Sequence, residues 1–342
     1  MKFGVAIGTN MSIQEIGHIA KVVEDNGFDY LTIVDTPSSS PDVHVGLTVA
    51  AMNTKRIQIG QGVVDPYTYH PVTIANIACT LDQLSQGRAF IGLGTAVRPL
   101  KERKVSLKDL RDSVNFLRHY MIGEEIEWNG RKLRLKWTKA NIPIYLAAHG
   151  PKAMELAGEI ADGVITLPCV NPEFAKWRQE QVVKGVEKGS RSIDEIDCWT
   201  RTMVYITDSR DSAWRELSAY PGSIRQLHKL LDRNDPAIID LKNRLDRSYP
   251  GLVNELKQGS LNFSKAYDSS YGERVDSPQS KTVTWPMIDF FHMVGTADEI
   301  CIKIEELHKI GVNTISMVAY TLLDMENMIK RVGQEIIPNF NY

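Results

Sequence analysis

The residues of this chain that could take part in chemistry stand where short apolar segments end. One such segment, 144–148, is followed by the run from His149 to Lys152, where a helical pattern begins. A helix that starts directly after a strand presents free backbone N–H groups and the positive end of its dipole. Gly150 lets the backbone approach a ligand closely, Pro151 suits the first helical position, and Lys152 adds a cation. The segment therefore predicts a phosphate-binding turn, although every strand–helix unit needs some turn at this place.

The other apolar segments end in small or polar residues and offer few acids and bases. The positions of interest are Asp35 and Thr36 after the second segment, Gly62 and Val63 in the third, Thr95 and Arg98 after the fourth, and Tyr320 and Thr321 after the last. No paired carboxylates, metal-ligand cluster or Schiff-base lysine stands out, so we assign neither a catalytic residue nor a metal. Such a site suits a flat, partly apolar organic cofactor that brings its own chemistry.

Several of these residues are candidates for ligand contacts. Arg98 and Lys152 follow neighbouring segments and could anchor a phosphate, and the alternative for each is a solvated surface cation. His149 could hydrogen-bond a cofactor chain or only its own loop. Tyr320 and Thr321 are the candidates for polar contacts to a substrate.

Strand-like and helix-like segments alternate eight times along the 342 residues. Ser12 and Thr296 each begin a capping box, and the pair Asn129-Gly130 predicts a small hairpin inserted before the fifth strand. His70, which precedes Pro71, indicates a helix start more than a catalytic residue. Two helix-like stretches lie in 208–291, and a closing helix is predicted over 324–337. The alternation predicts a single (β/α)8 TIM-barrel domain over 1–342, with a doubly wound sheet as the alternative. The predicted strands cover 3–7, 30–34, 57–64, 89–93, 144–148, 163–167, 199–206 and 313–319.

The chain is longer than the ~250 residues of a typical barrel, and the surplus lies mainly in 208–291, between strands seven and eight. We interpret this segment as an excursion over the C-terminal face, where barrel enzymes keep their chemistry. Trp285, a candidate substrate contact, and Tyr271 would line it as an apolar lid. Phe290 and Phe291 could belong to that lid or to the core. The alternative is that the segment packs outside the barrel or joins a dimer interface.

Composition narrows the function classes. The formal net charge is −2 and no long basic run occurs, which argues against nucleic acid and anionic membranes as partners. No apolar run approaches the ~20 residues of a membrane helix, and the first residues lack a signal-peptide pattern, so a cytoplasmic protein is expected. The four cysteines are scattered without a CxxC pair and are interpreted as buried thiols.

Five longer segments together resemble the luciferase-like superfamily of flavin- and deazaflavin-dependent oxidoreductases. They are NGFDYLTIVD (26–35), KRIQIGQGVVDPYTYHPVTIA (55–75), LDQLSQGRAFIGLGTA (81–96), 143–165, and VGTADEICIKIEELHKIGVNTI (294–315). The branch that looks closest is methylenetetrahydromethanopterin reductase. The resemblance implies a bulge in the third strand with a cis peptide at Gly62-Val63 behind the isoalloxazine ring. It also implies a phosphate site at 150–152, helped by Arg98, with Asp35 and Thr95 among the cofactor contacts.

Departures from the family patterns guide the functional prediction. Thr36 follows Asp35 where related sugar dehydrogenases carry an Asp-His pair, and Ala96-Val97 replaces their acid after strand four. The histidine of the luciferases after strand two and the Pro-Gly-Asp turn of the reductases after strand four are missing as well. Because proton donors are scarce, we predict an FMN-dependent monooxygenase that uses reduced flavin and oxygen on a small to medium organic substrate. A flavin reductase would supply the flavin, and a homodimer is expected.

Two alternatives stay open. One is a deazaflavin (F420)-dependent reductase that transfers a hydride to a C=N or C=C bond. The other is a non-catalytic flavin-binding protein.

Overall fold

The computed structural model describes residues 1–8, 10–37, 39–95, 105–166, 168–218, 224–268, 277–319 and 324–340. Its strands are β1 (Lys2–Ile7), β2 (Tyr30–Ile33), β3 (Gln58–Gln61), β4 (Ala89–Leu93), β5 (Ile126–Trp128), β6 (Arg131–Leu133), β7 (Ile144–Ala148), β8 (Gly163–Thr166), β9 (Asp197–Thr202), β10 (Val204–Ile206), β11 (Met293–Gly295) and β12 (Thr314–Val318). Eight of these described strands form a closed parallel barrel in the order β1-β12-β9-β8-β7-β4-β3-β2. The predicted (β/α)8 barrel is therefore confirmed.

Helices follow the barrel strands and form the outer layer. They are α1 (Ile13–Asp25), α2 (Val43–Asn53), α3 (Pro71–Ser85), α4 (Leu107–Met121), α5 (Pro151–Ile160), α6 (Pro172–Lys188), α7 (Arg210–Leu217), α8 (Ile224–Leu231), α9 (Pro236–Ser248), α10 (Leu252–Ala266), α11 (Trp285–Phe291), α12 (Ala297–Lys309) and α13 (Met325–Arg331). The chain after α13 continues as a π-helical turn and a 3-10 turn to Phe340, where the sequence predicted one helix to residue 337.

Local sequence sets several helix starts. The Ser12 hydroxyl accepts a hydrogen bond from the Glu15 backbone, and the Glu15 carboxylate accepts one from the Ser12 backbone at 2.6 Å. Thr296 begins α12 by the same reciprocal arrangement. His70 caps α3 by accepting from the Val72 backbone N–H at 3.2 Å, so it serves helix entry rather than chemistry. These caps were visible in the sequence because they depend only on neighbours two or three residues apart.

The N-terminal half of the barrel interior is filled by an aromatic layer. Tyr30, Phe90, Tyr145 and Trp199 pack together, with ring centroids as close as 4.6 Å, and Ile165 completes the cluster. Below it, the nearly buried carboxylate of Asp197 accepts hydrogen bonds from the hydroxyls of Tyr30 and Tyr145 at 3.0 and 3.1 Å, and from Thr314 at 2.8 Å. This layer closes one end of the barrel, so any ligand of the interior must enter from the other end.

The segment between strands seven and eight differs from its prediction in detail. Strand seven was predicted to reach residue 206, but β9 ends at Thr202, and 204–206 forms a separate parallel pair with 293–295. The Thr202 hydroxyl donates to the Phe291 carbonyl at 3.1 Å, which ties the end of β9 to this second pair. The excursion holds five helices, α7 to α11, in its described part, where the sequence indicated two. Phe290 and Phe291 are buried in the apolar core. The division into one domain stays a prediction.

Candidate active site at the C-terminal mouth of the barrel

Above the aromatic layer, the inward-facing positions carry small side chains. Thr32, Gly62, Gly94, Ala147 and Ser316 occupy these positions on their strands, as the register of the barrel places them. A Cβ on Gly94 would lie 2.7 Å from Val63 Cγ2 and 3.1 Å from Ala147 Cβ, so the two walls already touch there. Side chains of this size leave a hollow at the C-terminal mouth of the barrel, which is where barrel enzymes bind their ligands.

The bond between Gly62 and Val63 is cis, as the resemblance predicted. Val63 is half-buried and faces Gly94, so the bulge forms one wall of the hollow. A Cβ at position 62 would lie 2.5 Å from Arg201 Nη2 and 2.8 Å from Thr32 Cβ. Glycine is therefore the only residue that this close approach accepts without displacing Arg201 or Thr32.

Arg201 is a functional candidate that sequence reasoning missed. From β9 its Nη1 donates to the Gly62 carbonyl at 3.0 Å and its Nη2 to the Thr32 hydroxyl at 3.3 Å, although Gly62 lies 139 positions earlier in the chain. Its Nε is buried and has no partner within the described residues. One signal could have found it: Arg201 shares the inward face of its strand with Trp199 through the two-residue period.

His149 follows β7 and reaches the same hollow. The solvent-accessible surface of His149 is that of an exposed residue, yet protein atoms surround its side chain on nearly all sides. Both are expected for a group that faces a cavity. The pKa of His149 is lowered to about 4, mainly by burial and also by the charges of Arg201 and Arg178. A hydrogen bond with the Ala148 backbone raises the pKa and offsets part of this effect. The imidazole is therefore neutral near pH 7 and can both donate and accept a hydrogen bond.

The predicted phosphate turn begins a helix as expected. Gly150 is the N-cap of α5, with no side-chain capping bond, and Pro151 occupies the first turn. Lys152 is exposed beside it. Arg233, which comes from the connection between α8 and α9, lies over this turn, since its Nη1 would be 3.2 Å from a Cβ at Gly150. Its guanidinium also pairs with Asp235 at 2.8 Å and is 42% exposed.

A cleft of about 510 Å³ continues from this turn between α5, α6 and the excursion. Its lining carries three cations and three carboxylates, namely Lys152, Lys184, Arg233, Glu155, Asp235 and Asp240. Arg233 gave no sequence signal, because it stands in a polar connection far from the turn that it covers. The structure thus adds an excursion residue to the predicted anchor.

The remaining predicted site residues are placed as follows. Asp35 is half-buried, and Thr36 and Thr95 are exposed at the ends of β2 and β4. Trp285 lies over the Arg210 guanidinium, 4.1 Å from it, and lines a groove with Gly295 and Thr296 at the start of α12. Its substrate contact stays a prediction. Arg98, Tyr271, Tyr320 and Thr321 lie outside the described residues.

Other sequence expectations concern cysteines, metals and membranes. Cys79, Cys169 and Cys198 are buried thiols, and burial raises their pKa to about 11, 12 and 12. Within the described ranges, no group of three His, Cys, Asp or Glu residues could hold a metal ion. No helix in the same ranges is long and apolar enough to cross a membrane.

The hollow and the turn together fit a flat heterocycle with a phosphate chain. The bulge at Gly62-Val63 offers a wall for the ring, and Arg201 and His149 offer donors at its edge. The start of α5 lies at the end of β7, directly after His149. This arrangement defines an oxidoreductase that depends on an organic redox cofactor.

The comparisons with known proteins agree with this class. The family model for luciferase-like monooxygenases matches residues 1–314, and the chain belongs to this family. It is 28% identical to the 5,10-methylenetetrahydromethanopterin reductase of Archaeoglobus fulgidus and 29% identical to that of Methanopyrus kandleri, over 99% of both chains in each case. The structure of the coenzyme F420-dependent tetrahydromethanopterin reductase from M. kandleri superposes with a TM-score of 0.76 at 28% identity, covering 99% of each chain.

These relatives overturn the predicted FMN monooxygenase. The relatives that match at 28–29% identity over the full length are reductases, and the solved structure among them is named as dependent on F420. The prediction failed because it treated the scarcity of acids and bases as a mark of oxygen chemistry. That scarcity does not separate oxygen chemistry from hydride transfer, because in both cases the organic cofactor brings the reactive group. The expected flavin reductase partner depended on the monooxygenase interpretation and is withdrawn together with it. The homodimer stays a prediction.

Proposed function

We propose that this chain is a deazaflavin-dependent reductase that transfers a hydride to the methylene carbon between two nitrogens of a reduced pterin, where one C–N bond opens and the released nitrogen takes up a proton. The observation that carries the proposal is similarity to methylenetetrahydromethanopterin reductases over 99% of both chains. That extent includes the excursion as well as the barrel. When bound, the deazaflavin supplies the hydride chemistry, and the chain supplies binding, orientation and shielding.

The bulge and the hollow hold the ring in this proposal. Gly62-Val63 would support the ring, and His149 and Arg201 would lie at its polar edges. Asp35 and Thr95, at the ends of β2 and β4, line the same mouth. Because His149 is neutral, it can accept a hydrogen bond from a cofactor hydroxyl as well as donate one.

The cofactor phosphate binds at the start of α5. The Gly150 cap leaves the first backbone N–H groups without a side-chain partner, and the helix dipole favours an anion there. Lys152 and Arg233 add charge from two sides, and Arg98 remains a predicted helper. Since Arg233 belongs to the excursion, this segment would contribute to the cofactor site, while its helix α9 packs on the outer helix α6 through Trp177 and Ala237.

The proposal is tested with purified protein and both cofactors. Visible spectra are recorded during titration with F420 and, separately, with FMN, because the two cofactors absorb differently. Reduced F420 is then supplied together with methylenetetrahydromethanopterin, and its reoxidation is followed by absorbance. Selective retention of F420 and substrate-dependent reoxidation are expected. Retention of FMN alone, or oxygen consumption without hydride transfer, would contradict the proposal.

Lys152 offers a matched control within this experiment. Lys152→Ala should weaken F420 binding, whereas Lys188→Ala should not. Lys188 is also a lysine of the neighbouring helix surface, but it pairs with Glu155 and Glu159 instead of facing the start of α5.

A further inference from the structure

Within the part of the chain that the structure describes, Arg201 is a cation without a carboxylate partner at the base of the mouth. Its side chain points into the closed barrel, so the part of it that is exposed opens into the hollow. Two of its five N–H groups are used, by the Gly62 carbonyl and the Thr32 hydroxyl. Neither acceptor carries charge, and the buried Nε has no partner in the described part of the chain.

Several other arginines of this protein pair with carboxylates, whereas the buried Arg88 and Arg178 donate to several carbonyl and hydroxyl oxygens. Arg111 pairs with Glu159, Arg244 with Glu180, and Arg331 with Glu335, each at 2.6 Å. Among the described residues, no carboxylate lies within ion-pair distance of Arg201. Its electrostatic neighbour His149 is neutral near pH 7. Keeping a partly buried cation unpaired costs free energy, and an anionic ligand at the same place would offset that cost.

We propose that Arg201 contacts the bound deazaflavin and stabilises the anionic form of its oxidised state. The inference rests on the proposed function, because it names the contact for that cofactor. An oxidised 8-hydroxydeazaflavin is a weak acid whose negative charge, after loss of the ring hydroxyl proton, spreads to the oxygen and nitrogen of the pyrimidinedione. A guanidinium beside either polar edge of the ring would therefore favour the anion.

The position of the guanidinium supports a cofactor contact over a substrate contact. Arg201 donates to the carbonyl of the peptide that forms the bulge, so it lies directly beside the wall on which the ring rests. The aromatic layer beneath it leaves no deeper ligand position. A substrate that approaches the open face of the ring would lie farther from the Arg201 guanidinium than the ring itself does.

The experiment measures the pKa of the cofactor itself. The protein is saturated with oxidised F420, and the visible spectrum is recorded against pH, since the neutral and anionic forms absorb at different wavelengths. Wild type is compared with Arg201→Met, which removes the charge, and with Arg201→Lys, which keeps it. His149, which lies in the mouth, and Asp35 and Asp65, which follow neighbouring strands, are present in all three proteins, so the difference reports Arg201 alone.

In wild type the bound cofactor should ionise at lower pH than free F420. Arg201→Met should raise the pKa of the bound cofactor by at least one unit, a tenfold or larger change in its ionisation constant, and Arg201→Lys should restore most of it. Equal values in wild type and the Met variant, with F420 still bound, would overturn the assignment and leave the proposed function intact. Failure of wild type to bind F420 would refute the proposed function instead.

A folding defect has its own control. Should Arg201→Met not fold, Arg201→Gln is measured in its place, because an amide can still donate to the Gly62 carbonyl but carries no charge. The same two results for the bound cofactor then decide the assignment.

Discussion

Arg233→Met tests whether the excursion takes part in cofactor binding. The guanidinium lies over the N-cap of α5, 3.2 Å from the position of a Cβ at Gly150. A charge-assisted contact to phosphate contributes ~1.5–3 kcal/mol. Arg233 is 42% exposed and already pairs with Asp235. Solvent screening therefore places the expected loss of binding free energy at the lower end of this range. We expect about 1.4 kcal/mol, which is a tenfold increase in the Kd for F420.

The Kd is measured by fluorescence or absorbance titration at low and at moderate salt. The difference between wild type and Arg233→Met should shrink as salt rises, because screening weakens an exposed contact. Arg244→Met is the matched control. Arg244 is another arginine of the excursion and is also ion-paired, but its partners are Glu180 and Asp240, and it is absent from the cleft at the start of α5. Both variants are checked for folding by circular dichroism. A Kd within twofold of wild type for Arg233→Met, or equal losses in the two variants, would refute the reasoning.

Three further predictions concern the turn, the mouth and the barrel base. Gly150→Asp should leave thermal stability unchanged or higher, since aspartate is a favoured N-cap, yet weaken F420 binding through repulsion of the phosphate; tighter binding in titration would count against the phosphate turn. The depressed pKa of His149 predicts that the unfolded chain binds more protons than the folded chain between about pH 4 and pH 6.5, so stability falls as pH falls through this window. His149→Gln should flatten that slope in denaturant titrations across pH, and an unchanged slope would exclude the buried neutral imidazole as its cause. Asp197→Ala leaves three hydroxyls without their acceptor and should cost about 3–4 kcal/mol. For a chain of this length that is a loss of about 4–6 °C in Tm by calorimetry, with cofactor affinity retained, and a Tm within one degree of wild type would refute the structural role.

The correction of the functional prediction has a physical basis. The sequence showed which proton donors the chain lacks. Thr36 follows Asp35 in place of a histidine, and Ala96-Val97 stands after β4 in place of an acid. Absent proton donors do not separate oxygen chemistry from hydride transfer, because in both cases the organic cofactor brings the reactive group. Sequence identity of 28–29% over the full length to reductases separated the two.

The sequence by itself determined the barrel, the hairpin, the helix starts at Ser12, His70 and Thr296, and the turn at Gly150. These features follow from interactions within a few residues or from hydrophobic periods, which a linear pattern displays. The tertiary structure alone decided that Arg201 crosses the mouth to the Gly62 carbonyl and that Arg233 covers the start of α5. It also decided that β9 ends at Thr202, so that 204–206 pairs outside the barrel. Each of these depends on closure of the barrel or on the return of the excursion, which brings together residues far apart in the chain. No local pattern records such contacts, because their free energy is gained only when the whole sheet has closed.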